Sequence, residues 1–216
     1  MKLRLIVVTI TICFAFATVA QAQDINRWEA FGGFSIARLD NGISSNDPDI
    51  QDFFGGRVGA NGFNFAVGPN ISKYVGIRFD FATHGTTREG IIDGDPFNFK
   101  YRTTSYMGGV EFKNNLKDGP RWKPFAHVLA GVARAKITTP DHDFNDNLSF
   151  NGFTMAFGGG LDVKVHKHVD IRVIQFEYNP IFRSTKTFIV DPTPPATTVE
   201  TSSQHNFRIG FGIVVH

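Results

Sequence analysis

The stretch Gly62 to Gly85, GFNFAVGPNISKYVGIRFDFATHG, constrains the fold more than any other part of the chain. Two alternating arms flank one polar turn. Phe63, Phe65 and Val67 share one face against Gly62, Asn64 and Ala66. Beyond the turn, Val75, Ile77, Phe79 and Phe81 alternate with Gly76, Arg78, Asp80 and Ala82. A period of two puts successive side chains on opposite sides of a pleated strand. One face is apolar and aromatic, and the other carries glycine, charge and small polar groups.

The same pattern recurs in six more segments. The first, about Arg27 to Arg38, sets Trp28, Ala30, Phe34 and Ile36 against Glu29, Phe31 and Ser35. The fourth, about Phe97 to Lys113, sets Tyr106, Val110 and Phe112 against Met107, Gly109 and Glu111. The fifth, Pro124 to Ile137, sets Ala126, Val128, Ala130 and Val132 against His127, Leu129, Gly131 and Ala133. In the sixth, Phe153, Met155, Phe157, Leu161, Val163 and Val165 oppose Thr154, Ala156, Gly158, Gly160, Asp162 and Lys164. The seventh, Val169 to Phe182, changes phase between Arg172 and Gln175, which predicts a bulge near Ile174. The last, Asn206 to His216, sets Phe207, Ile209, Phe211, Ile213 and Val215 against Arg208, Gly210 and Gly212.

The connections sort into two kinds that alternate strictly. Pro69–Tyr74, Asn114–Lys123 and His166–His168 are short, whereas Leu39–Gly56, Thr83–Pro96, Thr138–Ser149 and Ser184–His205 are long and rich in Asp, Asn, Thr and Pro. Tight turns at one end and long loops at the other are the asymmetry of an up-and-down barrel in an outer membrane. Most of the segments reach the length of about 9–11 residues that a tilted membrane strand needs. A closed barrel also pairs every backbone N–H and C=O where no water is available. The fold class predicted is therefore all-β, an eight-stranded antiparallel up-and-down transmembrane β-barrel. A soluble barrel would point its large apolar side chains inward, yet the opposite faces here carry Glu29, Arg78, Asp80, Glu111, Asp162 and Arg172. Those charges fit a paired network in a filled lumen.

The N-terminus fits export. Lys2 and Arg4 precede an apolar run from Leu5 to about Val19, and Ala20-Gln21-Ala22 is a small-residue cleavage site. The expected division is a signal peptide over residues 1–22, cleaved after Ala22, and a barrel domain over residues 23–216. The single cysteine, Cys13, falls in the leader, so no disulfide and no lipid anchor are expected. Without Lys2 and Arg4 the 22 basic residues fall to parity with the 20 acidic ones, which gives no sign of nucleic-acid binding. The 23 Phe and 22 Gly, of which only Phe14 and Phe16 are in the leader, fit a closed sheet with an aromatic outside and glycine facing a crowded interior.

The A-Q-A leader exit, the GFNFAVGPNISKYVGIRFDF hairpin, the KPFAHVLAGVA strand, the GGGLDVKVHKHVDIR hairpin and the terminal NFRIGFGIVV together resemble a known family. It is that of the small outer-membrane β-barrels related to the transmembrane domain of OmpA and to OmpX. The resemblance implies a cell outer membrane location in a Gram-negative bacterium. It also implies contact with outer-membrane lipids and lipopolysaccharide, passage through the barrel-assembly machinery, and no open pore. Such barrels usually end on an outward aromatic residue; here the outward row closes on Val215.

The candidate residues follow from this placement. Glu29, Arg78, Asp80, Glu111, His127, Asp162 and Arg172 are expected to form a lumen polar network, with His127 next to Glu111. Arg102, Arg134 and Lys136 fall near the outer rim, where they could meet lipopolysaccharide phosphates. An enzyme of lipid would need a serine or acidic pair beside a histidine at the rim. His84, His142 and His205, with Ser105, Ser202 and Ser203 within reach, form no recognisable spacing. Asp47-Pro48-Asp49, Asp93-Gly94-Asp95 and Asp141-His142-Asp143 read as turn aspartates rather than a cation site. His166 and His168 are too few for zinc. No cofactor and no metal are expected. Trp28, Tyr74 and Trp122 at one boundary, with Tyr101 and Phe182 at the other, read as interfacial anchors. Asp191 to Ser203 reads as a polar outer loop. The function expected is structural or surface interaction through the loops, with an unidentified loop partner. A lipid-modifying enzyme, a small pore and a soluble ligand-binding barrel are the alternatives.

Overall fold

The computed structural model describes residues 24–40, 42–46, 48, 56–92, 95–138, 148–191 and 197–216. The leader, the pairs Asp47/Asp49 and Asp141/Asp143, Asp93 and His142 lie outside the described residues. Eight strands form the wall: β1 (Trp28–Asp40), β3 (Arg57–Pro69), β4 (Val75–Ile92), β5 (Asp95–Lys113), β6 (Trp122–Thr138), β7 (Leu148–His166), β8 (Val169–Phe182) and β11 (Gln204–Val215). They close antiparallel in the order β1-β11-β8-β7-β6-β5-β4-β3, and β1 meets β3 to complete the ring.

The alternation sets inside from outside. Phe63, Phe79, Tyr106, Val132, Phe153, Phe176 and Phe211 face out, each at least half exposed. Glu29, Arg78, Asp162, Arg172, Glu177 and Arg208 are buried within. The phase change in β8 is a bulge: Gly210 pairs with Gln175 and Gly212 with Arg172, so Val173 and Ile174 together oppose Phe211, and both stay on the outer face.

At the turn end the chain stitches itself shut. Ile25 bridges Leu116, Asn26 donates its backbone N–H to Asn115, and the Asn70 side chain donates to the Asn26 carbonyl. His216 donates its backbone N–H to His168.

At the other end three connections differ from the sequence reading. Within Thr83–Pro96 the described residues are strand, because β4 and β5 stay paired residue for residue from Val75↔Phe112 to Ile92↔Asp95. Leu39–Gly56 and Ser184–His205 supply a small second sheet of β2 (Ile43–Ser45), β9 (Lys186–Asp191) and β10 (Thr197–Thr201), ordered β2-β10-β9. The polar Asp191–Ser203 segment is thus strand over Thr197–Thr201. Backbone pairing continues wherever Thr and β-branched residues suit a strand, and beyond the membrane it needs no apolar alternation. Gly42, at φ +60°, lets the first of these connections turn, and its carbonyl accepts from the Ser202 backbone N–H at 2.7 Å and from Arg183 Nη2 at 3.2 Å, which ties the two together.

One seam in the wall is repaired by side chains. Pro180 has no N–H, and the β7–β8 pairing is interrupted between Thr154↔Ile181 and Phe157↔Tyr178. Asn179 Nδ2 donates to the Met155 carbonyl at 2.6 Å, and Thr154 Oγ1 donates to the Pro180 carbonyl at 2.8 Å. Replacing Asn179 with Leu is expected to cost about 1 kcal/mol, the lower end of the penalty for orphaning an acceptor, because the Met155 carbonyl is partly buried. Amide exchange that rises selectively over residues 152–157 would identify the seam as the source; unchanged protection there would refute it.

Candidate functional site

Among the described residues, six buried carboxylates (Glu29, Asp80, Glu111, Asp162, Asp170 and Glu177) share the lumen with five buried Lys and Arg (Arg78, Lys113, Lys123, Arg172 and Arg208), so opposite charges are near balance. Charge in a dry interior survives only when it is paired and hydrogen-bonded. Toward the turn end, Lys113 Nζ donates to Glu29 at 2.6 Å and to Asp162 at 2.9 Å. Arg172 forks onto Asp162, with Nε at 2.8 Å and Nη2 at 3.1 Å. Its guanidinium also lies 3.9 Å from the Phe125 ring centre and 4.4 Å from that of Phe31, two inward aromatics that hold it between them. Arg78 Nη2 donates to Glu111 at 3.0 Å and to Asn70 at 2.7 Å. Gly76 makes room for this guanidinium, since a Cβ there would sit 2.6 Å from Arg78 Nη1.

A second group lies farther along. Asp80 accepts from Asn64 Nδ2 at 2.6 Å and from Arg208 Nη2 at 3.3 Å, and Arg208 also binds Glu177. His127 faces Glu111 across the β5–β6 ladder, yet its Nε2 lies 2.8 Å from Glu177. A third knot, Lys123–Asp170–His216, closes the turn end at 2.7 and 2.8 Å. Thus Glu29, Glu111, Asp162, Arg78 and Arg172 share one cluster, while Asp80 and His127 join another. Lys113, Lys123, Asp170, Glu177, Arg208 and His216 are members that the sequence reading missed. For Arg208 and Glu177 the signal was present, because both fall on the polar side of their strands.

The rim residues point the other way. Arg102, Arg134 and Lys136 are exposed on the outer face. Register puts Arg102 opposite Lys136 and Arg134 opposite Thr104, just beyond the apolar row of Tyr106, Val132 and Phe153. Arg134 Nη2 donates to Ser149 Oγ at 3.3 Å. A basic patch therefore spans adjacent strands at the edge of the apolar belt.

Among the described residues, His84 and His205 lie on opposite faces of the wall. His84 Nε2 lies 2.7 Å from Ser35 Oγ, but Ser35 is wholly buried inside the lumen, away from any lipid. His205 Nδ1 lies 2.6 Å from the Tyr178 hydroxyl on the outer surface. Ser105 is buried and faces the lumen. Among the described residues no group of three or more His, Cys, Asp and Glu is placed to hold a metal ion. Trp28, Tyr74, Trp122 and Phe182 are exposed, whereas Tyr101 corrects the sequence reading. It shares the inward phase of Met107 and Glu111, is 3% exposed, and its hydroxyl accepts from Gln204 Nε2 at 3.0 Å.

No curated protein matches the chain. Among solved structures it is similar to Neisserial surface protein A, with 13% identity and TM-score 0.55 over 87% of this chain and 96% of that one. It is also similar to OprG of Pseudomonas aeruginosa, with 15% identity and TM-score 0.53 over 91% and 99%. Ail of Yersinia pestis, solved with the heparin analogue sucrose octasulfate, matches at 16% identity and TM-score 0.47 over 88% and 99%. At these identities the likeness is one of fold. The model of the outer membrane protein beta-barrel domain matches residues 8–213, nearly the whole chain. The chain belongs to that family and is an outer-membrane β-barrel protein.

Proposed function

We propose that the barrel is a poreless, non-catalytic outer-membrane protein that grips lipopolysaccharide phosphates with Arg102, Arg134 and Lys136 and offers its outer strands and loops to a surface partner. The observation that carries this reading is the basic patch on β5 and β6, exposed at the edge of the apolar belt. Guanidinium and ammonium groups at that height meet lipid phosphates without desolvating a charge inside the wall. The ion-paired lumen supports the absence of a pore, and the burial of the Ser35–His84 pair supports the absence of lipid hydrolysis. Export by a leader cleaved after Ala22 and closure by the barrel-assembly machinery belong to the same reading.

Changing Arg102, Arg134 and Lys136 together to Gln is expected to cut lipopolysaccharide co-purification at least about tenfold. That is the loss when one to two charge-assisted contacts disappear. The apolar belt is untouched, so migration that changes on boiling should persist. Undiminished co-purification would overturn the assignment.

A further inference from the structure

The wall formed by β1, β11 and β8 carries a groove on its lipid face that neither the lumen nor the basic rim explains. Its volume is about 720 Å³, and its floor is Gly32, where an added Cβ would meet no atom within 4 Å. Phe34 and Phe211 bound it toward the outer side, and Ile213, Ile171 and the bulge residue Val173 form its flanks. The bulge matters here, because it sets an extra outward side chain opposite Phe211, on the edge of the same groove.

Register links the groove to the periplasmic rim. Gly32, Ile213 and Ile171 lie in one row, and Ala30, Val215 and Val169 form the next toward the turns. Two residues before Ala30, on the same outward face, comes Trp28, which is 62% exposed. Trp28 lines a second cavity, of about 500 Å³, together with Arg27, Lys167 and Asp118. Asp24 and Lys117, also there, are already paired to each other at 2.6 Å. That leaves Arg27 and Lys167 as cations and Asp118 as an anion in the cavity that Trp28 also lines.

We infer that this face seats one glycerophospholipid of the periplasmic leaflet with a zwitterionic phosphoethanolamine head. One acyl chain lies over Gly32 between the Phe and Ile flanks, where the gain is close packing rather than escape from water. Lys167 and Arg27 take the phosphate, and Asp118 takes the ammonium. Trp28 packs at the glycerol level, the depth at which interfacial indoles sit. Both charge signs at the mouth select a head group that carries both.

The test is native mass spectrometry of the full barrel released in detergent and titrated with phosphatidylethanolamine or phosphatidylglycerol. One phosphatidylethanolamine is expected to stay bound where phosphatidylglycerol does not. Gly32→Leu should abolish the adduct. Gly59→Leu should keep it, because a Cβ at Gly59 also meets nothing within 4 Å but lies outside the groove. Lys167→Gln should weaken binding about tenfold, as loss of one charge-assisted bond does. Boiling-dependent migration checks that Gly32→Leu folds, and Val173→Trp fills the groove from the bulge side if it does not. An adduct that survives either filling variant, no adduct in the unaltered protein, or equal retention of the two lipids would overturn the inference.

Discussion

Asp162→Leu is expected to lower the unfolding free energy of the barrel by about 3–5 kcal/mol, read as an earlier urea midpoint in lipid vesicles. Asp162 is fully buried and holds two cations, Arg172 through a fork and Lys113 through one bond. Without it, both cations remain buried in the lumen, with Glu29 and Glu111 as their nearby carboxylates among the described residues. Removing one member of a buried pair is costly because the orphaned charge stays behind, not because the pair itself was strong. A second substitution, Arg172→Met, is therefore expected to return part of the loss, since it removes an orphan and fills the space between Phe31 and Phe125 with an unbranched apolar chain. A single-mutant loss below about 1 kcal/mol, the range of an exposed pair, would mean that water reaches this level of the lumen.

Gly131→Val is expected to prevent closure, or to cost about 3 kcal/mol or more where closure occurs. A Cβ at Gly131 would sit 2.7 Å from the Met107 Cα and would run into the Tyr106 carbonyl. Both are backbone atoms of the neighbouring strand, and they cannot swing aside as a side chain would. The matched control is Gly108→Val, one strand over and facing lipid, where the new Cβ would meet the Phe79 ring at an ordinary 3.6 Å. The share of protein that resists unfolding in the cold but shifts on boiling measures both. Equal shares for the two variants would show that crowding inside the wall is not what limits closure.

How much of this was legible in the sequence depended on whether one strand sufficed to read it. Inside and outside were legible, because alternation belongs to a single segment, and even the bulge at Val173–Ile174 left its mark as a change of phase. Ion partners were not. Arg208 and Asp80 sit on β11 and β4, and Lys113 and Asp162 on β5 and β7, pairs that are not neighbours in the wall. Such contacts depend on the stagger and curvature of the closed ring, which no hairpin encodes. The long connections misled for a different reason. Beyond the membrane a strand needs paired backbone but no apolar face, so Thr83–Ile92 loses the alternation while β4 goes on. Tyr101 was misplaced by its residue type, though its parity with Met107 and Glu111 put it inside.

The largest ionic cluster draws Glu29 from β1, Arg78 from β4, Lys113 from β5, Asp162 from β7 and Arg172 from β8. No single hairpin brings these charges together. Until β1 meets β11 each can keep its water, and that last ladder joins the two ends of the chain, the longest loop the polymer must close. Dehydration of the whole cluster is therefore deferred to one final event.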